Sequence, residues 1–180
     1  MNAIPEQYIA SLRETGPDLL IFQFGINEAA SLGAFREFTK DELRIQMREW
    51  LGRIKRLLPD TDVLLIGPPE RLQTFQGAPA PMKETFDVQQ VQREEAERAG
   101  FAYFDTYQCL GGAGQMMKMV SSGVAMSDYT HFTMRGGDAA AGLEPRHPAA
   151  RQVLRGVDPA PRAEGVRQRR QGAVGALPPA

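Results

Sequence analysis

The sequence predicts an α/β fold, a three-layer α/β/α sandwich with a parallel sheet at its centre. Three observations predict it. Apolar runs at residues 19–25, 63–67 and 101–105 are continuous rather than alternating, the pattern of strands covered on both faces. Segments of helical periodicity separate them, long enough to serve as crossovers between parallel strands. Each run stops at Gly25, at Gly67-Pro68-Pro69 or at Asp105, residues that end a strand.

Taken in order, residues 7–15 carry Tyr8, Ile9 and Leu12 at helical spacing, and Gly16-Pro17 stops that helix before the first strand. Thr39-Lys40-Asp41-Glu42 has the form of a capping box. Behind it Leu43, Met47, Trp50, Leu51, Ile54, Leu57 and Leu58 make one apolar stripe that ends at Pro59-Asp60, so Trp50 is expected in the core. After the second strand, Pro68-Pro69 takes the chain out of the sheet, and the polar, proline-rich stretch 71–81 reads as an irregular surface loop at the rim of a cleft. A helix over 83–99 is expected to turn Phe86, Val91 and Ala96 inward and to end at Gly100 as its left-handed cap. Met116, Met117 and Met119 are expected as core filler.

Composition narrows the class. With 180 residues, 42% of them hydrophobic, and a net charge of −1, the chain holds one modest domain and has no electrostatic case for binding nucleic acid or an anionic membrane. No apolar run approaches the roughly 20 residues of a membrane span. The start Met1-Asn2-Ala3-Ile4-Pro5-Glu6 lacks the basic region and apolar core of an export signal. Cys109 is the single cysteine, which leaves no intramolecular disulfide and no thiolate zinc site. Beyond Leu143 the composition shifts: aromatics, methionines and lysines all lie earlier, and 144–180 is rich in Arg, Pro, Ala and Gly. The domain is therefore set at residues 1–143, and 144–180 is expected to be a disordered tail, too poor in apolar residues to offset the entropy of ordering it. His147 lies in that tail and is no catalytic candidate.

Chemistry concentrates in Ser127-Asp128-Tyr129-Thr130-His131-Phe132-Thr133. If the backbone turns at Tyr129-Thr130, the Asp128 carboxylate can orient the His131 imidazole through Nδ1 and leave Nε2 as a general base. An architectural alternative has Asp128 closing an Asx-turn, Thr133 capping a helix and His131 packing. The first strand runs into Gly25-Ile26-Asn27-Glu28, where a small residue at the carboxyl end of a strand admits substrate and the Asn27 amide can donate to an oxyanion. A common strand-to-turn transition would look the same. Gly111-Gly112-Ala113-Gly114 lacks phosphate-loop spacing and suits a cleft wall better than a nucleotide site.

In this order along the chain, Gly25-Ile26-Asn27-Glu28, Gly67-Pro68-Pro69-Glu70, Leu110-Gly111-Gly112-Ala113-Gly114 and Asp128 to Thr133 resemble the motifs of the SGNH or GDSL hydrolase family. Glu28 and the double glycine are most similar to its peptidoglycan and carbohydrate O-acetylesterase branch. The resemblance implies a flavodoxin-like sheet, an acyl ester of a small molecule or glycan as substrate, no metal or organic cofactor, and His131 as base, Asp128 as its orienter and Asn27 as oxyanion donor. Gly25, Glu28, Gly111 and Gly112 would line the substrate cleft. Members of this branch are often exported, so the sequence assigns no compartment. The family's Gly-Asp-Ser nucleophile block and the oxyanion glycine that follows it do not occur here. None of the five serines, Ser11, Ser31, Ser121, Ser122 and Ser127, stands in that context, so no nucleophile is assigned. The N-terminal strands that carry those blocks would be missing with them. The run at 19–25 would then have an unpaired edge, open to a partner strand, and a non-catalytic, partner-binding module is the alternative function.

Overall fold

The structure is a computed structural model that describes residues 6–141; the expected domain limit at Leu143 and the tail 144–180 lie outside the described residues. Helix α1 (Glu6–Thr15) leads into strand β1 (Leu19–Gln23), which is followed by α2 (Ile26–Leu32), α3 (Lys40–Leu57) and β2 (Asp62–Ile66). A hairpin of β3 (Leu72–Phe75) and β4 (Ala78–Pro81) comes next, then α4 (Lys83–Ala99), β5 (Ala102–Phe104), α5 (Thr106–Cys109), α6 (Gln115–Ser121) and α7 (Met134–Ala141). Strands β1, β2 and β5 form a parallel sheet in that order, with Phe22 beside Leu65 and Leu65 beside Tyr103. The α/β class and the parallel sheet are thus as the sequence predicts, and among the described residues β1 stands at an edge.

The capping box of α3 forms: Thr39 N–H donates to Glu42 Oε2 at 2.7 Å, and Glu42 N–H donates back to Thr39 Oγ1 at 3.2 Å. Its buried stripe, Leu43, Met47, Trp50, Leu51 and Ile54, packs on the sheet. Trp50 meets Phe22 and Phe24 edge to face at centroid distances of 4.8 and 5.3 Å, the geometry that aligns ring edges with neighbouring π faces. Leu51 is fully enclosed. Leu51→Ala is expected to cost about 2–5 kcal/mol in urea unfolding, the transfer term plus the cavity it leaves. Helix α4 joins α3 through Glu95, whose buried carboxylate accepts from Arg48 Nε and Nη2, both at 2.9 Å, which holds that carboxyl below its usual range. Gly100 is the left-handed cap of α4, as expected.

Four details differ from the expectation. Helices α1 to α4 share one core with the sheet face made by Leu20, Phe22, Val63, Leu65 and Tyr103, whereas Leu19 and Ile21 on the other face are 41% and 57% exposed. Two right-handed crossovers that step the same way along a sheet lay their helices on one face, and covering the other requires the strand order to reverse. Among the described residues it does not reverse. Tyr8 and Phe86 are exposed rather than inward, because the α1 contact is made by Ile9 and the α4 contact by Val88, Val91 and Ala96; the Phe86 ring instead stands edge-on to Tyr107. The stretch 71–81 is the β3–β4 hairpin, turned by Gln76 and Gly77, both at positive φ. In an antiparallel ladder closed by a two-residue turn, Phe75 and Ala78 are the first hydrogen-bonded pair, so Pro79 and Pro81 fall at positions that need no N–H. Proline content argued for a loop, but register made the prolines harmless.

Candidate active site

Parallel strands bring their carboxyl ends to one edge, and three of the motif segments leave from it. Gly25-Ile26-Asn27-Glu28 follows β1 and opens α2, Gly67-Pro68-Pro69-Glu70 follows β2, and the glycine loop follows β5 and α5. Buried amides of α4 pin two of these exits. Gln92 Nε2 donates to the Phe24 carbonyl at 2.9 Å and Gln89 Nε2 to the Pro68 carbonyl at 2.8 Å. Sequence reading missed both glutamines, although Thr85, Gln89, Gln92 and Glu95 recur at helical spacing beside the apolar stripe and all are buried.

The fourth segment, Asp128 to His131, is a tight loop that contains both the Asx-turn and the imidazole–carboxylate contact. Asp128 Oδ1 accepts from the Thr130 and His131 backbone amides at 2.9 and 3.0 Å, the Asx-turn, and Asp128 Oδ2 lies 2.7 Å from His131 Nδ1. An ionised carboxylate has no proton to give, so Nδ1–H donates and the neutral imidazole keeps its lone pair on Nε2. The His131 ring is exposed rather than packed. Thr133 caps α7, its Oγ1 accepting from Gly136 N–H at 3.1 Å. Tyr129 takes φ +56, which bends the loop enough for Oδ1 and Oδ2 to be used at once.

The bond from the His131 ring, then the His131 amide, pull the Asp128 carboxyl down to about 2 from its ordinary 3.8. A carboxyl whose pKa is lowered in the folded loop adds order above its ordinary value and loses that contribution as pH falls through the lowered one. The Thr130 and His131 amides are therefore expected to stay protected from neutral pH to about pH 4 and to lose protection toward pH 2, as read by NMR. Asp128→Asn should abolish that step, and an unchanged step would show that another group titrates.

The remaining predicted residues are placed as follows. Asn27, in the first turn of α2, is exposed, and Glu28 beside it is half-buried. Gly111 is exposed and Gly112 buried, both at positive φ, and a Cβ on Gly112 would stand 3.8 Å from the Tyr107 ring. Gly25 does not open space for a ligand. It is buried at φ +132, and a Cβ on it would stand 2.8 Å from the Pro68 ring and 3.2 Å from Gln92 Nε2, so the neighbouring exit loop occupies the room its hydrogen leaves. Met116 is buried and Met119 partly so, as expected of core filler, while Met117 is exposed; Leu72, Met116 and Ala125 form a second, smaller core under Tyr129 and Phe132. Burial pushes the Cys109 thiol up, which leaves it an inert packing group.

Glu70, quoted above only as part of a motif, uses both of its carboxylate oxygens. Its buried carboxylate accepts from Gly114 and Met116 backbone amides, each at 2.9 Å, and so closes the amino end of α6. Arg71 Nη1 donates to the Ile26 carbonyl at 2.9 Å, and Leu72 N–H to the Tyr129 carbonyl at 3.3 Å. Through residues 71 and 72 the Asn27 segment and the His131 loop are thus joined by two hydrogen bonds. Among the described residues no serine hydroxyl bonds to His131, and no group of three His, Cys, Asp or Glu side chains is placed to hold a metal ion. No helix of the described residues is long and apolar enough to cross a membrane.

The exposed His131–Asp128 pair is tied through Leu72 and Arg71 to the segment that leaves β1 at the carboxyl end of the sheet. Solved structures agree on the fold. A peptidoglycan O-acetylesterase is 26% identical, with 76% of this chain and 38% of that one covered and a TM-score of 0.68. A GDSL-like lipase from Parabacteroides merdae is 17% identical, with 75% and 65% covered and a TM-score of 0.57. A catalytic mutant of an acetylxylan esterase from Geobacillus stearothermophilus is 16% identical, with 87% and 68% covered and a TM-score of 0.53. No protein-family model and no curated protein matches the sequence. The chain has the SGNH/GDSL hydrolase fold, and it spans well under half the length of the O-acetylesterase it resembles.

Proposed function

We propose that the chain is the base-and-oxyanion part of a serine ester hydrolase that removes acyl groups, acetyl foremost, from a glycan or peptidoglycan. His131 is the general base, Asp128 orients it, Asn27 donates to the tetrahedral oxyanion, and Glu28, Gly111 and Gly112 line the cleft. The serine comes from a strand outside these 180 residues, added at the free edge of β1. The observation that carries this reading is the 2.7 Å contact of His131 Nδ1 with a carboxylate held by two backbone amides, on a ring that is otherwise exposed. The open strand edge supports it as well. Strands added beyond β1 would create the reversal of order at which α/β sheets bind ligands, and that reversal would fall next to Asn27. Leu19 and Ile21 also favour a second use of the same edge, capture of a partner strand without catalysis.

The test is acetate release from aryl acetates by the chain alone. Turnover indistinguishable from that of His131→Ala is expected, because a base and one oxyanion donor without a positioned nucleophile offer little. Hydrolysis that disappears on Ser127→Ala would overturn the assignment and make Ser127 the nucleophile.

A further inference from the structure

The geometry points to Glu70-Arg71-Leu72 as a positioning junction that sets the His131 loop against the Asn27 segment. The inference rests on the reading of those two residues as base and oxyanion donor, but it concerns how they are held. Three consecutive residues each bind a different motif segment. Glu70 takes two amides at the start of α6, Arg71 takes the Ile26 carbonyl, and Leu72 takes the Tyr129 carbonyl. The register of the hairpin explains how one short stretch reaches all three. Met82 N–H donates to the Arg71 carbonyl at 2.9 Å, continuing the ladder inward, so the Leu72 N–H points away from β4 and toward the His131 loop. The Leu72 side chain meanwhile enters the small core with Met116 and Ala125, on which Tyr129 and Phe132 rest.

Glu70 is the anchor of this set. A buried carboxylate is costly, and here the compensation comes from the two amides and the positive end of α6. Glutamine in its place offers one acceptor oxygen for two donors and turns an NH2 toward the other amide. The α6 start then loosens, Met116 shifts, and the seat of Tyr129 shifts with it.

The experiment is NMR on the full chain with three readouts: exchange of the Gly114 and Met116 amides, exchange of the Tyr129 to His131 amides, and the downfield ring N–H signal of His131. Glu70→Gln is expected to speed exchange at the first pair about tenfold or more, the scale of a lost charge-assisted bond. It should speed exchange at Tyr129 to His131 as well and broaden the ring signal, while Leu51 and Val91 amides keep their protection. Arg71→Ala, which removes a half-exposed side chain and leaves the core intact, should quicken exchange around Ile26 to Ala29 and broaden the same ring signal. Quickening confined to Gly114 and Met116, with the His131 signal unchanged in both variants, would reduce Glu70 to a local helix cap and overturn the proposal. If Glu70→Gln loses its far-ultraviolet circular dichroism, Arg71→Ala decides alone. None of these readouts depends on turnover, so a chain that proves non-catalytic leaves the positioning result standing or falling on its own.

Discussion

Joined to an upstream segment whose strand ends in Gly-Asp-Ser, the chain is expected to hydrolyse acetate esters, and His131→Ala in that assembled protein should lower kcat by about 10⁴-fold or more. The size follows from the roles. Without the imidazole the serine keeps its proton, and the leaving group receives none, so both halves of the acyl transfer fail together. Asn27→Ala should cost less, about 10²- to 10³-fold, because one donor to the oxyanion is lost while the others remain. The loss should appear in kcat with little change in KM, since the donor strengthens as charge develops. Equal activity of the assembled protein and its His131→Ala variant, measured as acetate released, would remove the hydrolase reading and leave strand capture at β1.

Gly25→Ala is expected to destabilise the chain by about 2–5 kcal/mol, the sum of a strained backbone and an overpacked neighbour. At φ +132 an alanine is strained before it touches anything, and its Cβ would then meet the Pro68 ring at 2.8 Å. Neither can move freely. The Phe24 and Pro68 carbonyls on either side are held by Gln92 and Gln89, whose side chains are buried in the helix packed beneath. Urea midpoints of wild type and variant measure the effect. A variant as stable as wild type that fails only to bind ester would return Gly25 to the substrate-admitting role its motif implies.

The strands, the two long helices and the Asp128–His131 contact were legible because each rests on local chemistry. Continuous apolar runs mark parallel strands, the Thr39 and Glu42 pair marks a helix start, and only Tyr129 and Thr130 separate Asp128 from the histidine whose ring it contacts. The His131 loop could be read for the same reason: its turn and its imidazole–carboxylate contact lie within one short stretch. The hairpin was not legible. Whether Pro79 and Pro81 break a strand depends on which side of a ladder their missing N–H would face, and that is a matter of pairing register rather than composition.

By itself the sequence determined the α/β class, the start of α3, the imidazole–carboxylate pair and the absence of any serine in the family's nucleophile setting. Only the tertiary structure decided what lies between these parts. It showed that Gly25 is small for the sake of Pro68, that Gln89 and Gln92 hold the strand exits, and that Glu70, Arg71 and Leu72 connect segments far apart in the chain. The division has one physical cause. Periodicity, capping and close-range pairing are fixed by neighbours a few residues away, whereas a buried glutamine or glutamate acquires its partner only when distant strands end at the same edge.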